Sequence, residues 1–108
     1  MATSYRVDRT GANCKLSVSG ALTAIVIPEL KEALKRELQE ETRELVFDLR
    51  ETTMLDSSGI GLLIASSNTL SRKGGTTRVI NPAAEIYELL STMRLVSRLN
   101  VIPAIERQ

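Results

Sequence analysis

The chain opens with a two-residue hydrophobic period and then changes rhythm. In residues 4–9, SYRVDR, Tyr5 and Val7 alternate with polar neighbours, which predicts an edge strand. Thr10-Gly11-Ala12-Asn13 predicts a turn, because Gly and Asn tolerate positive φ. Cys14, Leu16 and Val18 alternate with Lys15, Ser17 and Ser19, so a second strand should end at Gly20 and pair with the first as a hairpin. Ile27, Leu30, Leu34 and Leu38 then recur at helical spacing with charges between them. Pro28 suits the first helical position, where its missing N–H costs nothing. Residues 44–49, ELVFDL, predict a short strand buried on both faces. Ile60, Leu63, Ile64, Ser67 and Leu70 restore the helical period until Lys73-Gly74-Gly75, a helix-stop signal. Residues 77–80 predict another strand, and Asn81-Pro82 a turn. Ile86, Leu89, Leu90 and Met93 predict a third helix. A short helical turn is expected over residues 95–99, and Val101-Ile102 as a last edge strand. Strands alternating with helices imply an α/β domain with a mixed sheet.

Composition narrows the function. At 108 residues the chain is expected to be one domain, 1–108. A net charge of +1 gives no electrostatic reason to expect nucleic acid or an anionic membrane as partner. The apolar stretches fall far short of the ~20 residues of a membrane span. MATSYRVDRTG lacks the apolar core of a secretory signal. The single cysteine, Cys14, excludes an internal disulfide and fits a reducing cytoplasm. It alternates inward on a strand and reads as a small core residue. There is no histidine, which removes Ser-His-Asp and Cys-His nucleophilic sites and nearly all zinc sites. With no Trp, one Phe and two Tyr, the chain cannot supply the aromatic rows that stack single-stranded nucleic acid. Neither an enzyme nor a cofactor site is expected.

One cluster stands apart. Residues 56–61, DSSGIG, lie where an apolar run gives way to a helix. Ser57 is expected to be the helix N-cap, with Ser58, Gly59 and Ile60 supplying the free N–H groups of the first turn. Such a cluster reads in two ways. It is a good cap with small residues for close packing, or its hydroxyl is a phosphorylation site facing oriented N–H groups. Other motifs fail on detail. G-x-S-x-G is absent, Lys73-Gly74-Gly75-Thr76 has the wrong order for a P-loop, and Gly59-x-Gly61 is too short for a dinucleotide fingerprint.

The wider context resembles the anti-sigma-factor antagonists, the free-standing bacterial form of the STAS domain. LVFDLRETTMLDSSGIGLLI is similar to the family's strand and D-S-S/A-G signature. Ser19-Gly20-Ala21-Leu22 leads into IPELKEAL where the family has a G-x-L-D turn and a helix, and RKGGTTRVINPAAEIYELL resembles its next stop, strand and helix. The resemblance runs over about residues 4–102. It implies a STAS-type single domain with a four- to five-stranded mixed β-sheet and about four helices.

The resemblance also implies a function. Such a domain binds an anti-sigma factor that is also a serine kinase, and so releases a sigma factor. The kinase phosphorylates the serine directly after the Asp, here Ser57, and the modified domain lets go. A metal-dependent, PP2C-type phosphatase resets it. No direct nucleic-acid or membrane contact is implied, and the chain is expected to be a monomer or weak homodimer. Thr23, Ile25, Thr53, Met54, Asp56, Ser57 and Ser58 are the expected partner-binding residues, all in loops beyond the same ends of neighbouring strands. The sequence departs from the family at Thr23, where an acid is expected, and in the apolar run Ile25-Val26-Ile27, which either turns inward or forms a partner patch. It also stops at Gln108, where many members continue into a last helix. The alternative is a non-phosphorylated STAS binding module of a lipid-transport ATPase or a stress-sensing complex.

Overall fold

A computed structural model describes residues 2–38 and 41–104. Its element order is β1 (Ser4–Thr10), β2 (Asn13–Leu22), α1 (Ile27–Glu37), β3 (Glu44–Asp48), β4 (Thr52–Leu55), α2 (Ser57–Arg72), β5 (Thr76–Ile80), α3 (Ala84–Thr92) and β6 (Val101–Ile102). The sheet runs β1-β2-β3-β5-β6, with β4 paired to β2 off this path. Among the described residues, β1–β2 pair antiparallel and the other pairings are parallel.

Strand β2 is the hub. Its first half, Asn13–Ser17, pairs with β3 from Glu44 to Asp48. Its second half, from Gly20 to Leu22, pairs with β4. The strand therefore continues past Gly20, where its sequence pattern stops. Gly20 has φ 104°, which only glycine adopts readily, and the register slips between Gly20 and Ala21. That bulge lets one strand serve two partners.

The apolar alternation of β2 becomes one face of the sheet. Cys14, Leu16 and Val18 are buried, and the register sets Cys14 beside Leu45 and Leu16 beside Phe47. Phe47 in turn lies beside Val79, and Val79 beside Val101. Leu30 and Leu34 of α1, Leu63 and Leu70 of α2, and Ile86 and Leu90 of α3 join the same core cluster. The opposite face is polar over much of its area, with Lys15 paired to Asp48 at 3.8 Å and Arg78 to Glu44 at 2.9 Å. Burial raises the Cys14 thiol above its ordinary pKa, against the opposing pull of Arg9, which leaves it a core residue of low reactivity.

The expected hairpin, the crossover helices and the buried middle of β3 are all present. Three details differ. The sheet has six strands, because residues 52–55 form β4, a strand the apolar pattern does not reveal. Only Thr52 and Leu55 at its two ends are buried, so its period is invisible. Thr52 anchors it by donating its hydroxyl to the Val18 carbonyl at 2.9 Å. The helices number three among the described residues. Residues 95–99 make a single turn, closed by the Leu99 N–H on the Leu95 carbonyl at 2.9 Å, and do not continue as a helix. Pro28 is the second residue of α1, because Val26 caps it and Ile27 begins it; its missing N–H is an orphan there too.

Thr77 sits on the buried face of β5, and its Oγ1 has no hydrogen-bond partner. A hydroxyl buried this way costs free energy that a methyl of the same shape does not. Thr77→Val is expected to stabilise the domain by about 1 kcal/mol. Urea unfolding should show a higher midpoint with an unchanged slope; a lower midpoint would mean that the hydroxyl contributes to the native core.

Candidate functional site

The D-S-S-G cluster sits where the parallel strands β2 and β4 end side by side. The register pairs Leu22 with Leu55, so residues 23–26 and Asp56 leave the sheet as neighbours. Asp56 is extended, with φ −105° and ψ −175°, and it is the N-cap of α2. Its Oδ1 accepts the Gly59 N–H at 2.9 Å, and its Oδ2 accepts the Ala24 N–H at 3.1 Å. Its carbonyl accepts the first intrahelical bond, from the Ile60 N–H at 2.9 Å. One carboxylate thus ties the start of α2 to the loop that follows β2.

The expectation that Ser57 caps the helix is therefore wrong by one residue. Asp and Ser are comparable N-caps, and local sequence alone does not choose between them. A carboxylate has two acceptor oxygens, and here each has a backbone donor; a serine hydroxyl could not span both. A full negative charge at this terminus also suits the helix dipole. With Asp56 as cap, Ser57 becomes the first residue of α2 and Ser58 the second. Ser57 is exposed, whereas Ser58 is half-buried.

Gly59 explains why the helix can start so close to the sheet. A Cβ there would collide with the Leu22 carbonyl oxygen and come within 2.8 Å of Leu55 Cδ1. The backbone itself fills that space, and any larger residue would push α2 off the ends of β2 and β4. Gly61, two residues on, has open space at its missing Cβ and carries no such constraint.

Of the remaining expected site residues, Thr23 and Ile25 lie in the loop after β2, whereas Thr53 and Met54, expected in a loop, form the middle of β4, because pairing with β2 extends that segment. Met54 lies opposite Ala21 in the β2–β4 register and is 54% exposed; Thr53 beside it is exposed. Thr23 is half-buried and opens a tight turn, its carbonyl accepting the Val26 N–H at 3.0 Å. The apolar run after it divides. Ile27 turns into the core, but Ile25 is 91% exposed at the tip of the turn. The sequence does not point to Ala24, whose backbone N–H holds Asp56; a backbone group leaves no mark in side-chain patterning. Among the described residues, no group of three or more His, Cys, Asp or Glu is placed to hold a metal ion, and no helix is long and apolar enough to cross a membrane. The assembled end has an exposed hydroxyl, an anchored carboxylate and two exposed apolar side chains.

Known proteins share this fold. A family model described as STAS domain matches residues 4–107. An anti-sigma-B factor antagonist of Staphylococcus aureus is 25% identical over 87 residues, covering 81% of this chain and 81% of that protein. The crystal structure of an anti-sigma factor antagonist from Mycobacterium paratuberculosis superposes with a TM-score of 0.82 at 21% identity, covering 96% of this chain and 88% of that one. SpoIIAA in its unphosphorylated form gives a TM-score of 0.82 at 16% identity, covering 95% of this chain and 90% of that one. The Bacillus SpoIIAA structure in the phosphorylated form gives 0.77 at 17% identity, covering 95% and 93%. These likenesses between structures show a common fold.

The anchored carboxylate has a measurable consequence. The Gly59 N–H, helped by those of Ala24 and Ser58, holds the Asp56 carboxyl below its ordinary pKa, against the opposing effect of partial desolvation. A group whose pKa is lowered by folding contributes stability above its unfolded value and loses it as the pH falls through the folded value. Asp56→Asn should therefore destabilise the domain most at neutral pH. The gap from the wild type should narrow as the pH falls towards about 2, below the ordinary Asp range. Urea midpoints of both proteins along that pH series test this; a gap that stays constant would mean that the charge on Asp56 plays no part.

Proposed function

The chain belongs to the STAS domain family, and we propose that within it this protein is an anti-sigma-factor antagonist. It binds an anti-sigma factor that is also a serine kinase, and the bound anti-sigma factor no longer holds its sigma factor. The kinase then transfers the γ-phosphoryl group of ATP to Ser57 Oγ, which loses its proton, and ADP leaves. The phosphorylated domain dissociates, and a PP2C-type phosphatase restores the hydroxyl by hydrolysis.

The observation that carries this reading is the position of Ser57. It is exposed, it opens α2, and it follows a carboxylate already committed to backbone N–H groups. The half-burial of Ser58 supports Ser57 rather than Ser58 as the acceptor. Similar proteins support the reading: the Staphylococcus aureus relative is an anti-sigma-B factor antagonist, and SpoIIAA has been solved with and without phosphorylation.

The proposed switch is electrostatic. A phosphate adds about −1.5 to −2 charges. The dipole of α2 would offset ~0.3–1 kcal/mol of that within the domain, while Asp56 would repel it. The isolated fold should change little. At an interface, like charges set together cost several kcal/mol, and each ~1.4 kcal/mol is tenfold in affinity.

Incubation with the cognate anti-sigma kinase and ATP should place one phosphate on Ser57, by phosphopeptide mass spectrometry, and none on the Ser57→Ala variant. Calorimetry should then show affinity for the anti-sigma factor reduced by about tenfold or more, with unchanged circular dichroism and melting. Ser57→Ala should bind permanently, and Ser57→Asp should release only in part, because it carries a single charge on a shorter arm. Equal affinities of the phosphorylated and unmodified forms would refute the switch. Binding with no labelling of Ser57 would instead support the non-phosphorylated module.

The footprint is tested separately. Ile25→Asp and Met54→Asp place a charge on exposed apolar side chains of this end. Each is expected to weaken binding of the anti-sigma factor by about tenfold or more while shifting the urea midpoint little. Unimpaired binding by both variants would remove this end from the interface.

A further inference from the structure

Helices α1 and α2 do not close fully against each other. Between them runs an open groove of about 320 Å³. Leu34, Leu38, Leu62 and Ala65 give it an apolar floor, and Lys31 and Lys35 stand along the α1 side. That volume is at the lower limit for a ligand cleft, so an open groove of this size suits the side chains of another protein better than an enclosed small molecule.

Charge selects the occupant. Among the described residues, none that lines the groove is acidic. Helix α2 has none in its whole length and ends in Arg72, followed by Lys73. Among the described residues, Lys31 takes part in no ion pair. Lys35 meets Glu32 at 4.0 Å, but both side chains are largely exposed, and such a pair contributes little. Lys31 and Lys35 are four residues apart, one turn of helix. They therefore offer two cations in a row beside an apolar strip. The complement is a helix with apolar anchors on one face and acids along one flank.

We propose that the α1–α2 groove is a docking site for an acidic amphipathic helix of a partner protein. It is separate from the Ser57 end. Leu62 is five residues into α2 from Ser57, about 7 Å along the axis, and the groove runs away from the cap from there. A helix seated there need not touch Ser57, and its binding does not depend on the phosphorylation proposed above.

The probe is a designed peptide of about 15 residues, long enough to form helix, with leucines on one face and glutamates flanking them. Its twin carries lysine in place of every glutamate. Titrated into the ¹⁵N-labelled chain, the acidic peptide should shift the amides of residues lining the groove, and added salt should weaken it. Lys31→Glu/Lys35→Glu should raise its Kd by about tenfold or more. Ala65→Arg, a change at an exposed position, should do the same with melting unchanged. Ser57→Ala should bind the peptide as the wild type does, which separates this test from that of the phosphorylation switch. Equal binding of the basic twin would overturn the proposal, as would undiminished binding by the lysine variant or shifts confined to residues near Ile25 and Met54. Groove shifts caused by phosphatidylglycerol vesicles, or by concentrating the chain alone, with none from the peptide, would overturn it in favour of a lipid surface or a second copy.

Discussion

One carboxylate holds the junction of β2, β4 and α2 together. Asp56 accepts from Gly59 in the first turn of α2 and from Ala24 in the loop after β2, so it fixes a helix and a loop to each other. The arrangement works only because Gly59 allows the helix backbone to rest against the Leu22 carbonyl. Bulk at residue 59 would move the Gly59 N–H away from Oδ1, and removal of the carboxylate would leave that N–H and the Ala24 N–H to water. The D-S-S-G sequence is thus a packing solution before it is a chemical site. The acid and the glycine build the junction, and the serines between them have no structural task of comparable weight.

That division bears on which hydroxyl is free for chemistry. A serine at the cap would spend its oxygen on the helix N–H groups. Because Asp56 takes that duty, Ser57 Oγ stays outside the network and the residue is exposed. Modification at Ser57 would not break a cap, whereas modification of a capping serine would. The switch proposed above needs a fold that survives the change, and a cap on Asp56 rather than Ser57 would allow it.

Much of this was legible in the sequence, and what was not has identifiable causes. The period-2 run of Cys14, Leu16 and Val18 gave away β2 because one face is buried and the other is not. The helical period of Ile60, Leu63 and Leu70 gave away α2 for the same reason. Strand β4 stayed hidden because it is four residues long with exposed Thr53 and Met54 at its middle. Its stability comes from pairing with a distant segment and from the Thr52 hydroxyl on Val18, and neither has a local signature. The cap was misplaced because two good capping residues stand side by side. The choice depends on the Ala24 N–H, 32 residues away, which only the folded chain brings near. Ile25 and Ile27 divide between surface and core although they are equally apolar, because the turn between Thr23 and Val26 reverses the chain at Ile25.

Thr23 can be understood in the same terms. The loop it opens is held by backbone groups: the Thr23 carbonyl with the Val26 N–H, and the Ala24 N–H with Asp56. An acid at residue 23 is therefore not required for the loop to take its shape. Threonine there alters charge and leaves that framework available. An acid would add a second carboxylate to an end that already contains Asp56, with no further donor shown for it. Without it, the charge on Asp56 is the one held by oriented N–H groups at the junction. A dianion added beside it would be the dominant electrostatic feature of the surface. Under the phosphorylation proposed above, threonine in place of an acid at residue 23 would enlarge the contrast between the two states.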